Sequence, residues 1–157
     1  MIVVADTTPL NYLIQMRLDS LLEELYGAVY LPQGVVDEMR HVVAPDMVRR
    51  WAANLPRWIT VAKAIPTSDP DLLKLHRGER EAIALATELH AELLLADDQR
   101  ARVAAERRGI QVAGTLGLIR DAGNAGRLDF EKSLAELLAL GFRATPDVLA
   151  VIRNSLT

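Results

Sequence analysis

The chain has 157 residues, half of them hydrophobic and only 4% aromatic, with a formal charge of −3 and no cysteine. That length suits one compact domain with a core of Leu, Val, Ile and Ala, and no apolar run approaches the ~20 residues that a membrane helix needs. The lack of cysteine excludes disulfides and thiolate metal sites, and the acidic balance counts against a protein that holds nucleic acid through phosphates alone.

Residues 2–5 are a short apolar run rich in β-branched side chains and ended by Asp6, which predicts a buried strand. With no basic stretch ahead of it, this start does not read as a signal peptide. Thr7 or Thr8 can cap a following helix with Pro9 in its first turn and Leu10, Leu13 and Ile14 at helical spacing. A second helix, residues 18–26, ends at Gly27. Residues 28–31 predict a second strand stopped by Pro32, followed by a helix over 34–41. A helix over 46–54 precedes a weak strand, 58–61, and residues 65–71 read as a polar connection marked by proline. The helix over 78–91 has the clearest pattern. Residues 92–96 form another strand ended by an acid, Asp97. The helix over 98–108 stops at Gly109, and residues 110–113 form a last strand closed by Gly114-Thr115-Leu116-Gly117. Helices over 116–125, 129–140 and 146–156 complete the chain. Strands alternating with helices predict an α/β fold with a mainly parallel sheet and right-handed crossovers.

Ligands of open α/β sheets bind outside the carboxyl ends of the strands, and Asp6 and Asp97 each end a predicted strand there. If those strands are neighbours, the two carboxylates share a rim and repel unless a cation sits between them. A hard divalent cation such as Mg²⁺ prefers oxygen ligands of this kind. Either acid also suits a helix cap, the commoner role for one strand-end Asp. On the helix over 78–91, taken at ~100° per residue, Ala82, Leu85, Ala86 and Leu89 form an apolar stripe. Glu81 lies on one edge of that stripe and Glu79 near the other, while Arg80 points away. Glu81 is the better placed to lean over the rim, although both glutamates suit the first turn of a helix. Glu38 neighbours the buried side marked by Val35, Val36 and Met39, and Asp37 faces solvent. His41, His76 and His90 show no metal-ligand spacing, and no Gly-x-Gly-x-x-Gly follows the first strand, which disfavours a dinucleotide site.

The residues Asp6-Thr7-Thr8-Pro9-Leu10, Leu31-Pro32 with Val36-Asp37-Glu38, Gly78-Glu79-Arg80-Glu81-Ala82-Ile83-Ala84-Leu85-Ala86, and Leu95-Ala96-Asp97-Asp98 with Ala101-Arg102 occur in this order. Together they resemble the PIN-domain nucleases, in particular a prokaryotic subgroup marked by GExEA, an Asp-Asp pair followed by Ala-Arg, and a Gly-Thr-Leu-Gly turn. The likeness covers residues 2–126. It implies a three-layer α/β/α, Rossmann-like PIN fold with a negatively charged pocket. It implies an endoribonuclease dependent on Mg²⁺ or Mn²⁺, in many members the toxin of a toxin–antitoxin pair. RNA as substrate, an antitoxin protein, a homodimer and a cytoplasmic location are the expectations that go with it.

By position, the resemblance implies that Asp6, Glu38, Glu81 and Asp97 are catalytic metal ligands and that Asp98 is an accessory ligand. Glu79, Thr7, Thr8 and Thr115 would support them, and Arg102 and Arg100 would bind substrate. Arg107, Arg108, Arg120 and Arg127 extend a candidate basic track, with Arg107 and Arg108 read more simply as a solvated helix face. The alternative is a PIN fold that binds nucleic acid or protein without cutting. The catalytic domain would span residues 1–126. Residues 127–157 would be a helical extension packed on it, with Leu134, Leu137, Leu138, Val148, Val151 and Ile152 at helical spacing; a dimer or antitoxin surface is the sharper reading of those residues.

Overall fold

The computed structural model describes residues 1–157. Five short strands, β1 (Val3–Ala5), β2 (Val29–Pro32), β3 (Ile59–Ala62), β4 (Leu93–Leu95) and β5 (Val112–Ala113), form one sheet in the order β3-β2-β1-β4-β5. Every pairing in it is parallel. Neighbouring parallel strands need long crossovers, and helices supply them. The first half of the chain contributes α1 (Thr7–Gln15), α2 (Ser20–Tyr26), α3 (Gln33–Arg40) and α4 (Asp46–Ala53). The second half contributes α5 (Pro70–Leu73), α6 (Arg77–Glu88), α7 (Gln99–Glu106), α8 (Thr115–Asn124), α9 (Phe130–Ala139) and α10 (Pro146–Asn154). No helix is long and apolar enough to cross a membrane.

The pleat explains why β1 and β4 are apolar throughout. Val3 and Ala5 point to one face with Leu95, where they pack against Leu10, Leu13, Val35, Met39 and Val48. Val4, Leu94 and Ala96 point to the other face and meet Ile83, Leu85, Ala101 and Ala105. Both faces are covered, so alternation with polar residues would bury unpaired polar groups. The result is the expected α/β/α sandwich.

Chain direction across the sheet reverses between β1 and β4. The strands β1, β2 and β3 run outward one way, while β4 and β5 run the other. In parallel sheets this reversal opens a crevice at the carboxyl ends of the two central strands. Val3, Val4 and Ala5 pair with Leu93, Leu94 and Leu95, and Leu95 O accepts from Asp6 N at 2.9 Å. Asp6 and the Asp97-Asp98 pair therefore flank that crevice.

Three local expectations need correction. The cap of α1 is Asp6 itself, not Thr7 or Thr8: its side chain accepts from Thr7 N, and Thr7 is already helical. Within the expected polar connection lies the short helix α5, where Asp69 accepts from Asp71 N, Pro70 takes the first turn and Leu72 is buried. Helix α6 ends at Glu88 rather than Ala91, because His90 takes φ 50°, the left-handed turn that usually falls to glycine.

The C-terminal helices pack on the same body. Phe130, Leu134 and Leu137 of α9 join Leu116, Ile119 and Met16 in a third apolar cluster. Phe142, Leu149, Ile152 and Leu156 pack partly against it. Helix α10 buries no residue fully, and Val148 and Val151 remain exposed.

Candidate active site

Asp6 follows directly from β1 in an extended conformation and is only 3% exposed. Its Oδ1 accepts from Thr7 N at 2.8 Å, and its Oδ2 takes no protein donor. A carboxylate so placed loses water without gaining a full set of hydrogen bonds. Burial accordingly pushes its pKa up to about 7, against the lowering effect of the Thr7 N–H. Glu79 and Glu38 raise it further by repulsion, and His76 opposes them. The acids that act on Asp6 are thus those of α3 and α6.

Their placement has visible causes. Thr7 Oγ1 donates to Glu38 Oε2 at 2.7 Å, and Gly78 N donates to Glu38 Oε1 at 3.2 Å. A Cβ on Gly78 would overlap the Glu38 carboxylate, so glycine in the Gly-Glu-x-Glu-Ala motif is what lets α3 and α6 share that carboxylate at the rim. His76, at the cap position of α6, lies 3.4 Å from Glu38 Oε1 through Nδ1 and 3.0 Å from Glu79 Oε1 through Nε2. Glu79 is 6% exposed. Burial pushes its pKa up, His76 lowers it, and Asp98, within hydrogen-bond reach, raises it again. Asp98 also caps α7 by accepting from Ala101 N at 3.0 Å, so its capping and clustering roles coexist.

Asp97 turns aside from this group. Thr115 donates to it twice, from N to Oδ1 at 2.8 Å and from Oγ1 to Oδ2 at 2.5 Å. Burial raises its pKa, while the Thr115 bonds and the nearby Arg102 guanidinium lower it. Gly114 makes room for the arrangement, since a Cβ there would stand 2.7 Å from Asp97 Oδ1 and 3.0 Å from an Arg102 nitrogen. The Gly-Thr step of the Gly114–Gly117 turn thus holds the strand-end carboxylate in place.

Glu81 does not join the cluster. It accepts from Gly34 N at 2.9 Å and from Arg77 Nε at 2.6 Å, and Arg77 also binds Asp37 at 2.9 Å. It satisfies an open amide in the first turn of α3 and ties α6 to α3. Of the two glutamates of the motif, Glu79 is thus the one that acts on Asp6, and Glu81 is engaged with α3 and Arg77. Thr8 is exposed and lines an open cleft together with Asp97, Asp98 and Arg102. Arg100 is exposed and stands outside that lining. Arg108 is not a solvated residue: it pairs with Asp69 and donates to Ala104 O, pinning the segment before α5 to α7. Arg127 pairs with Glu24. His76 was invisible to spacing rules, because one of its partners lies on α3. Its position directly before Arg77-Gly78-Glu79 was the only signal.

Five groups meet or border on one another at the rim: Asp6, Glu38, Glu79, Asp98 and His76. Carboxylate oxygens with one imidazole are a donor set suited to a hard or borderline divalent cation, and the mutual repulsion at Asp6 is what such a charge would relieve. In spacing, no three acidic or histidine side chains stand close enough to hold one ion as placed. The chemistry of the set fits a dication, with the cage not closed.

No curated protein matches the sequence. A sequence profile described as a PIN domain matches residues 2–157, so that α9 and α10 fall inside the matched length. The five-stranded parallel sheet, the acids at its switch point and this match together show that the chain belongs to the PIN-domain family, whose members are generally nucleases.

Proposed function

We propose that the protein is an endoribonuclease dependent on Mg²⁺ or Mn²⁺, with Asp6, Glu38, Glu79 and Asp98 as the ion-holding set and Asp97 beside it. The observation that carries this reading is Asp6: a carboxylate 3% exposed at the switch point, repelled by two further acids and with its pKa raised to about 7. Structural caps do not need such company.

A bound dication would acidify a coordinated water and offset the charge that builds on phosphate oxygens during in-line attack. The chain's own residues provide the frame. Thr7 and the Gly78 N–H fix the Glu38 carboxylate, and His76 keeps Glu38 and Glu79 together. Thr115 holds Asp97, and Arg102 sits beside it as a positive partner for an incoming phosphate. The resemblance implies water as the nucleophile, with 5′-phosphate and 3′-hydroxyl ends as products. The resemblance adds a toxin role, an antitoxin partner and a homodimer; an antitoxin gene beside this one would support that part.

One observation favours a second reading, a PIN fold that binds without cutting: both Asp97 oxygens are satisfied within the protein, and the cage is open. Incubating RNA with the protein and Mg²⁺ or Mn²⁺, with and without chelator and beside Asp6→Asn, separates the two. Cleavage abolished by chelator and by Asp6→Asn supports the nuclease. Intact RNA in all lanes supports the binding module.

A further inference from the structure

We infer that a single nucleic-acid strand reaches the acids along the cleft between the β5 side of the sheet and α10, with Arg102, Arg120 and Arg143 on its phosphates. The inference rests on the nuclease reading and adds the substrate's path and a use for the C-terminal segment.

The cleft holds about 980 Å³, and its lining joins Asp97 and Asp98 to Val148 and Val151 of α10. Three separate segments each contribute an arginine: Arg102 from α7, Arg120 from α8 and Arg143 from the stretch between α9 and α10. Apart from Asp97 and Asp98, the only acid in the lining is Asp147. The three arginines balance the three acids of the lining, so a route beside an acidic rim carries no net repulsion for a polyanion and offers cations to its phosphates.

The state of these arginines matters as much as their number. Arg49, Arg77, Arg108, Arg127 and Arg153 are all committed to ion pairs. Arg120 is paired too, with Asp121, and reaches Ser155, whereas Arg102 and Arg143 donate to no protein acceptor and are the two free cations of the cleft. Two of the chain's few aromatics also lie here: Tyr12 and Phe142 meet edge-to-face at 5.4 Å and line the cleft. Rings beside free guanidinium groups make a platform for unpaired bases. A duplex hides its base faces in the stack and would use the phosphates alone. Val148 and Val151, 46% and 68% exposed on a helix that buries no residue fully, offer apolar contact to bases and ribose.

The test uses the full chain carrying Asp6→Asn, so that the substrate survives, and a short fluorescein-labelled oligouridylate titrated across a potassium chloride series. Arg143→Ala should weaken binding about fivefold at low salt and flatten the slope of log affinity against log salt by about 0.7. Adding Arg102→Ala should bring the flattening to about 1.4. Arg50→Ala, on α4 and outside the cleft lining, should change neither, and melting temperatures should stay level across the set. If the oligouridylate binds but Arg143→Ala leaves affinity and slope untouched, the path is wrong; RNA cleavage by the wild type would then keep the nuclease reading alone. Arginine-dependent binding without cleavage by the wild type overturns the nuclease and keeps the path. Absence of both binding and cleavage overturns both. Displacement of the oligouridylate by polyglutamate at equal charge concentration would assign the cleft to acidic polypeptide and overturn the nucleic-acid occupant.

Discussion

Glu79 and Glu81 stand two residues apart on α6, and their carboxylates end in different places: Glu79 lies 3.0 Å from His76 within the Asp6 cluster, while Glu81 accepts from Gly34 N at 2.9 Å on α3. Opposite consequences should follow from the same substitution. Glu79→Gln should lower the rate of RNA cleavage at least about 100-fold, since even groups that merely orient metal ligands are worth 10–100-fold. Glu81→Gln should keep activity within about threefold and cost about 1 kcal/mol of stability through the weakened Gly34 and Arg77 bonds. Steady-state rates and urea melts on the two variants check this pair.

Asp6 should destabilise the ion-free protein at neutral pH. Its carboxyl titrates near 3.8 when unfolded and at about 7 when folded, so the folded state binds the extra proton between these values. Stability then falls as pH rises through that window, and the full penalty is present above pH 7. The shift corresponds to at most about 4 kcal/mol. Asp6→Asn keeps a side chain able to cap α1 and removes the charge. It should raise the melting temperature at pH 8, have little effect near pH 4 and abolish cleavage. Thermal melts across pH check the sign.

Divalent ions should reverse that penalty. At a concentration 100 times the dissociation constant, Mn²⁺ should stabilise the wild type by about 2.7 kcal/mol, or several degrees for a chain of this length. Asp6→Asn should lose the shift, and chelator should remove it from the wild type. Differential scanning fluorimetry reads both.

Thr115 is fully buried and supplies two donors to Asp97. Thr115→Val keeps the shape and the backbone donor but strips one bond from a buried carboxylate, costing about 1–3 kcal/mol. Cleavage should fall about tenfold or more as Asp97 turns, and Thr115→Ser should restore most of it. Rates for the two variants, normalised to folded protein, decide the matter.

Much of the fold was legible locally. Residues 2–6 read as a buried strand ending in an acid because β1 is covered on both faces, and the run over 92–97 reads alike for the same reason. Helix α5 was missed because a proline marked the segment as a connection, although Asp69-Pro70 is a helix-start signal. In the site, the helical wheel placed Glu79 and Glu81 on opposite edges of the α6 stripe, which is where they lie. It held no information on which edge faced α3 and which faced the rim, because that depends on how α6 crosses the sheet. His76 and Arg143 owe their importance to partners and neighbours far away in the chain, which no local spacing displays.

Asp6 at the end of β1, with the acids around it, is proposed to hold a dication. Diffraction from a Mn²⁺-soaked crystal, read through the anomalous signal, tests it most directly. One strong peak is expected against Asp6, with oxygens of Glu38, Glu79 or Asp98 completing the protein's share of the coordination shell. A peak held instead by Asp37 and Glu81 on the other side of α6, or no bound ion at millimolar Mn²⁺, would contradict it.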